Sequence, residues 1–110
     1  MAEDRIIEAV NFLEKRLEKA GINVSKIILF GSHAKGASTP ESDIDIIIVS
    51  DDFNGKDRLE RAQMTKEAEI AAIKKFMMPF DILTKTDAEL ENKDSIVADY
   101  AKEGEVVYGG

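Results

Sequence analysis

Two aspartates, Asp43 and Asp45, bracket one isoleucine at the head of the apolar run Ile44-Asp45-Ile46-Ile47-Ile48-Val49. Side chains alternate faces along an extended chain, so both carboxylates fall on one face with Cα atoms roughly 6.5 to 7 Å apart. Carboxylates so placed repel each other unless positive charge lies between them. A pair of divalent cations, about 3.5 to 4 Å apart in two-metal phosphoryl-transfer sites, would satisfy that arrangement and give it a use. Upstream, Gly31-Ser32 closes the apolar run Lys26-Ile27-Ile28-Leu29-Phe30, with ten residues between Ser32 and Asp43. A glycine there lets the backbone approach a phosphate without a Cβ in the way, and Ser32 offers a hydroxyl and an amide N–H to the same anion. Gly-Ser after a strand is also an ordinary turn; its distance from the two acids is what marks it.

A third acid, Asp81, sits between apolar neighbours in Phe80-Asp81-Ile82-Leu83-Thr84. It either joins the pair or is an edge-strand acid that discourages aggregation, because nothing in the sequence fixes its register. Lys35 reads equally as a point-charge contact to a triphosphate and as a solvated loop lysine. Ser42 can cap or orient Asp43, or serve a local turn. Gly36 supplies a turn, and the lone histidine, His33, is expected at the surface with no catalytic role. Asp51 and Asp52 lie past the opposite end of the strand that Asp43 opens.

The elements that must position these groups follow from periodicity. Ile6, Ile7, Val10, Leu13 and Leu17 recur at helical spacing over residues 4–20, and Gly21 suits a left-handed end. Strands are expected at about 26–30 and 43–49, the second apolar on both parities after Asp45 and therefore central. A long helix is expected over residues 56–77, with Leu59, Ala62, Met64, Ala68, Ile70, Ala71, Ile73 and Phe76 as its apolar positions and Pro79 preventing its continuation. A third strand follows at Phe80–Thr84. Thr86 or Asp87 can cap one short helix, and Asp94 another that runs to about Lys102 with Ile96, Val97 and Tyr100 inward. Glu105–Tyr108 reads as a last strand, with helix or coil left open. The order describes an α/β (α+β) sandwich, a small mixed sheet with helices packed on it, in one domain spanning residues 1–110.

The spacing of Gly31, Ser32, Asp43 and Asp45 resembles the GS-x10-D-x-D signature of the DNA polymerase beta-like nucleotidyltransferase superfamily, with Asp81 falling on its third carboxylate. The short chain is similar to the minimal nucleotidyltransferase branch, which supplies antitoxins to HEPN-type toxins. The resemblance implies a nucleoside triphosphate substrate, with AMP moved from ATP onto a hydroxyl of a HEPN ribonuclease partner, whose modification on a tyrosine would silence it. It implies two Mg²⁺ ions, one bridging Asp43, Asp45 and Asp81 and one held by Asp43 and Asp45. It also implies nucleotide contacts from Gly31, Ser32, Lys35 and Ser42.

Composition narrows the partners. Fifteen Lys and Arg against twenty-two Asp and Glu give a net charge of −7, which disfavours an extensive nucleic-acid surface and suits a neutral or basic protein partner. In 110 residues there is room for one modest core and little for a separate acceptor-binding module. Self-association could enlarge the site. The absence of cysteine excludes disulfides, thiol catalysis and cysteine-ligated zinc. An acidic start without an apolar signal core, and no stretch long enough to span a bilayer, make a cytoplasmic protein the expectation. The high charge content and a single glutamine fit a heat-adapted source. Two other functions compete: an antitoxin that neutralises by binding alone, and a transferase acting on a small molecule or an RNA end.

Overall fold

A computed structural model describes residues 3–35, 43–92 and 96–109 of the chain. Helix α1 spans Asp4–Lys19 and buries Ile6, Ala9, Val10, Leu13 and Leu17 along one stripe. It ends at Gly21, whose φ of +87° is left-handed. Strand β1 (Lys26–Phe30) leads directly into a one-turn helix, α2 (Gly31–Lys35). Strand β2 (Ile44–Val49) then runs antiparallel to β1, pairing Phe30 with Asp45 and Lys26 with Val49. Asp43 thus precedes β2 rather than opening it.

A 3₁₀ turn at Asp51–Phe53 is capped by the Ser50 hydroxyl, which accepts from the Asp52 amide. Helix α3 (Arg58–Phe76) starts at Asp57 through a reciprocal cap: the Asp57 carboxylate accepts from the Glu60 amide, and the Glu60 carboxylate from the Asp57 amide. It stops at Met77, a non-glycine residue at φ +55°, just before Pro79. Strand β3 (Phe80–Lys85) returns parallel to β2. A parallel neighbour needs a crossover, and α3 supplies it, so acids far apart in sequence end on adjacent strands. Thr86 caps α4 (Asp87–Leu90), and α5 (Ile96–Glu103) leads to β4 (Glu105–Gly109), which pairs antiparallel with β1. The sheet order is β3-β2-β1-β4.

The alternation of β2 explains its apolar run. Ile44, Ile46 and Ile48 join Ile27, Leu29, Phe53 and the inner face of α1 in the larger core layer. Ile47 and Val49 join Ile28 on the other face, under Leu83, Leu90 and Val97. A strand covered on both sides has no polar face to spare, except at Asp45, which lies at its open end.

Two helices depart from the expected pattern. In α3 the buried positions are Thr65, Ala68 and Ala72, while Leu59 is 68 % exposed and Ile70 also faces outward. Small residues let α3 lie close against α1, and its larger apolar side chains divide between two faces. Among the described side chains of α5, Ala98 is buried and Val97 packs inward against Ile28, Ile47 and Val49 as expected; Tyr100 is 41 % exposed, with its ring stacked on Phe30 at a centroid distance of 5.1 Å. Asp94 lies outside the described residues. Among the described residues no helix is long and apolar enough to cross a membrane.

Candidate active site

One end of the sheet carries the acids. The C-terminus of β1 and the N-termini of β2 and β3 meet there, because β2 is antiparallel to β1 and parallel to β3. The parallel register sets Asp45 directly beside Asp81. Adjacent strands lie about 4.8 Å apart, so the two carboxylates rise from the same face as nearest neighbours. Asp81 lies on the edge strand β3 and in register with Asp45. Asp43, exposed and two residues before Asp45, is tethered to this end by the Ile44 amide, which donates to the Pro79 carbonyl at 2.9 Å.

Electrostatics register the crowding. Burial, then the negative charges of Asp81 and Asp43, push the Asp45 carboxyl above the usual aspartate range, while the His33 imidazole opposes them. A cation placed among the three acids would relieve that repulsion, and a donor set made only of carboxylate oxygens suits a hard ion such as Mg²⁺. As they stand, no three His, Asp or Glu side chains among the described residues converge on a single ion position.

Gly31 sits against this cluster. Its φ is +74°, and a Cβ added there would overlap the Oδ2 atom of Asp45. Both facts require glycine at this position. Ser32 is half-buried in the same turn, and Lys35 is the last residue of α2. Ser42 and Gly36 lie outside the described residues. His33, expected at the surface, is only 8 % exposed. The turn of α2 directs its ring inward, within electrostatic reach of Asp45. Asp51 and Asp52 lie at the other end of β2, where Asp52 accepts from the Asn23 amide at 2.7 Å.

Glu69 belongs to this neighbourhood and was not singled out by sequence. Burial and the charge of Asp81 raise its carboxyl above the usual glutamate range. It lies on the α3 stripe Arg58, Ala62, Thr65 and Glu69, whose spacing of four, three and four residues places all of them on the side facing β3. That stripe, polar or small where a core-facing stripe would be apolar, was the available signal.

A family model described as a nucleotidyltransferase domain matches residues 5–103. Two proteins of Methanocaldococcus jannaschii, both named as putative protein adenylyltransferases, are 51 % identical over 53 residues and 34 % identical over 56 residues. Those matches cover 47 % and 51 % of this chain, and the chain spans only 50 % and 37 % of those relatives' length. A crystal structure of a toxin–antitoxin with AMP-PNP superposes with a TM-score of 0.63 at 19 % identity, covering 94 % of this chain and 73 % of the other. At that identity the superposition carries the fold.

Proposed function

The chain belongs to the nucleotidyltransferase domain family, and from that premise we propose that it transfers AMP from ATP to a hydroxyl, most directly a tyrosine, of a cognate HEPN-domain ribonuclease toxin, and so acts as its antitoxin. The observation that carries this reading is the register of β2 and β3, which sets Asp45 beside Asp81 with Asp43 at the same sheet end. Relatives named as protein adenylyltransferases support the reaction, and a toxin–antitoxin of the same fold supports the partner.

In this mechanism Asp43, Asp45 and Asp81 would hold divalent cations, with Mg²⁺ the ion their oxygen donors suit. When bound, such ions activate the attacking hydroxyl and neutralise charge on the triphosphate. The chain's own residues do the rest. Gly31 leaves room for a phosphate against the backbone, and Ser32 presents its hydroxyl and amide to the β- or γ-phosphate. Lys35 and Ser42 are the further nucleotide contacts of the proposal. Transfer forms the bond from the acceptor oxygen to the α-phosphorus and breaks the bond to the β-phosphate bridge, releasing pyrophosphate; the hydroxyl proton passes to a carboxylate or to solvent.

The test is intact mass of the HEPN protein after incubation with this chain, Mg²⁺ and ATP. The expected result is one or more AMP increments, falling by more than about a hundredfold in Asp43→Asn and in Asp45→Asn. Tight complex formation without any increment would replace the enzyme with an antitoxin that acts by binding alone.

A further inference from the structure

Between α3 and the outer side of β3 lies a cleft of about 740 Å³. All of β3 contributes to it, and β3 has a strand neighbour, β2, on one side only. The opposite wall is the α3 stripe from Arg58 to Glu69. At one end are Glu69 and Asp81, the acid already placed beside Asp45. At the other are Lys56, Arg58 and Lys85. Midway, Arg61 is held by Glu89 at 2.8 Å and adds no unpaired charge. The cleft is therefore bipolar, acidic where the chemistry is proposed and basic about 13 Å further along, the rise of four strand residues from Asp81 to Lys85.

We propose that this cleft is the acceptor site: an extended protein segment lies along β3, presents its hydroxyl at Asp81, and places acidic side chains about four residues away against Lys56, Arg58 and Lys85. This rests on the nucleotidyl-transfer reading and adds to it the direction and chemistry of the acceptor. Three observations favour a peptide. The cleft opens at the acid that the acceptor must reach. An edge strand offers backbone N–H and C=O groups to an added strand, here chiefly those of Phe80 and Ile82 since the Thr84 carbonyl accepts from Arg61, and this gives affinity without a large apolar pocket. The basic end stands out on a chain of net charge −7, so it complements acidic side chains locally. A polynucleotide fits less well, because Glu69 and Asp81 would face its phosphates along the same cleft.

The experiment uses fluorescein-labelled nine-residue peptides of threonine and valine, each carrying one tyrosine. In one set two glutamates stand four residues from the tyrosine, before or after it; in the other set they are lysines. Binding is read by anisotropy and AMP addition by mass, with ATP binding followed separately by calorimetry. The expected result is about tenfold tighter binding of a glutamate peptide than of its lysine counterpart. That preference should vanish or invert in Lys56→Glu/Arg58→Glu, while ATP binding stays unchanged. Equal binding of both sets, a preference untouched by the charge reversal, or displacement of the glutamate peptide by an equimolar oligouridylate would overturn the acceptor site. Glutamate-selective binding with no AMP addition and no ATP binding would keep the cleft as a peptide site and remove the transferase reading beneath it.

Discussion

Burial and the neighbouring Asp81 and Asp43 favour the protonated form of Asp45, with His33 in opposition. Because its folded pKa is raised, the native protein holds a proton here at pH values where the unfolded chain has released it. Stability from this group therefore falls as pH rises through the window above the ordinary aspartate value. In metal-free buffer, Asp45→Asn should unfold at a higher urea concentration than the parent near neutral pH, and the gap should close on acidification below that window. Urea midpoints measured across the acidic range check it; a parent midpoint that rises steadily to neutrality, alongside a destabilised Asp45→Asn, would contradict the repulsion. At this scale the D-x-D pair was legible because acids seldom open an isoleucine-rich strand without a purpose. Glu69 was legible only as part of the polar or small stripe Arg58, Ala62, Thr65 and Glu69, because in a helix filled with Glu and Lys one more glutamate by itself carries no mark. The burial of His33 was not legible, since it depends on the turn of α2.

Arg61 joins elements that no sequence pattern connects. Its guanidinium donates to the carbonyls of Phe53, Lys56 and Thr84 and to both carboxylate oxygens of Glu89, binding the 3₁₀ turn, the start of α3, β3 and α4. Glu89 is held down to about 2, first by the hydrogen bond from Arg61. A depressed carboxyl contributes stability that is full above its unfolded value near 4.5 and lost as pH falls toward 2. Arg61→Met should cost about 2 to 3 kcal/mol, chiefly from carbonyls left without their donor. It should also remove the part of acid destabilisation that falls in this window, as denaturation at pH 7 and pH 3 would show. Most element types followed from periodicity, and β1, α1 and β3 fell within a residue or so of their expected bounds. The faces of α3 and α5 followed only in part: Met64, Ile73, Phe76 and Val97 pack against the core, but small residues such as Ala68, Ala72 and Ala98 take the most buried positions, and Leu59, Ile70 and Tyr100 turn outward. Hydrophobic size is a poor guide where two layers approach closely.

Over the whole molecule, charge and topology act together. Against a basic partner, a surface of net charge −7 should accelerate encounter. The association rate with the toxin partner proposed above should fall about tenfold or more between 50 and 500 mM salt, with a much smaller change in dissociation, as stopped-flow mixing would reveal. A salt-independent rate would show that charge does not steer the encounter. The mixed sheet was legible as a class but its order was not, since nothing local in Glu105–Gly109 states that it pairs with β1. That order also sets a sequence of events during synthesis. Strands β1, β2 and β3, which lead into Gly31 or carry Asp45 and Asp81, emerge from the ribosome before β4 and neighbour one another in the order in which they emerge, whereas β4 adds to the far edge. The nucleotide end of the sheet can thus assemble on a nascent chain before β4 exists, leaving the β1 edge open until that strand emerges.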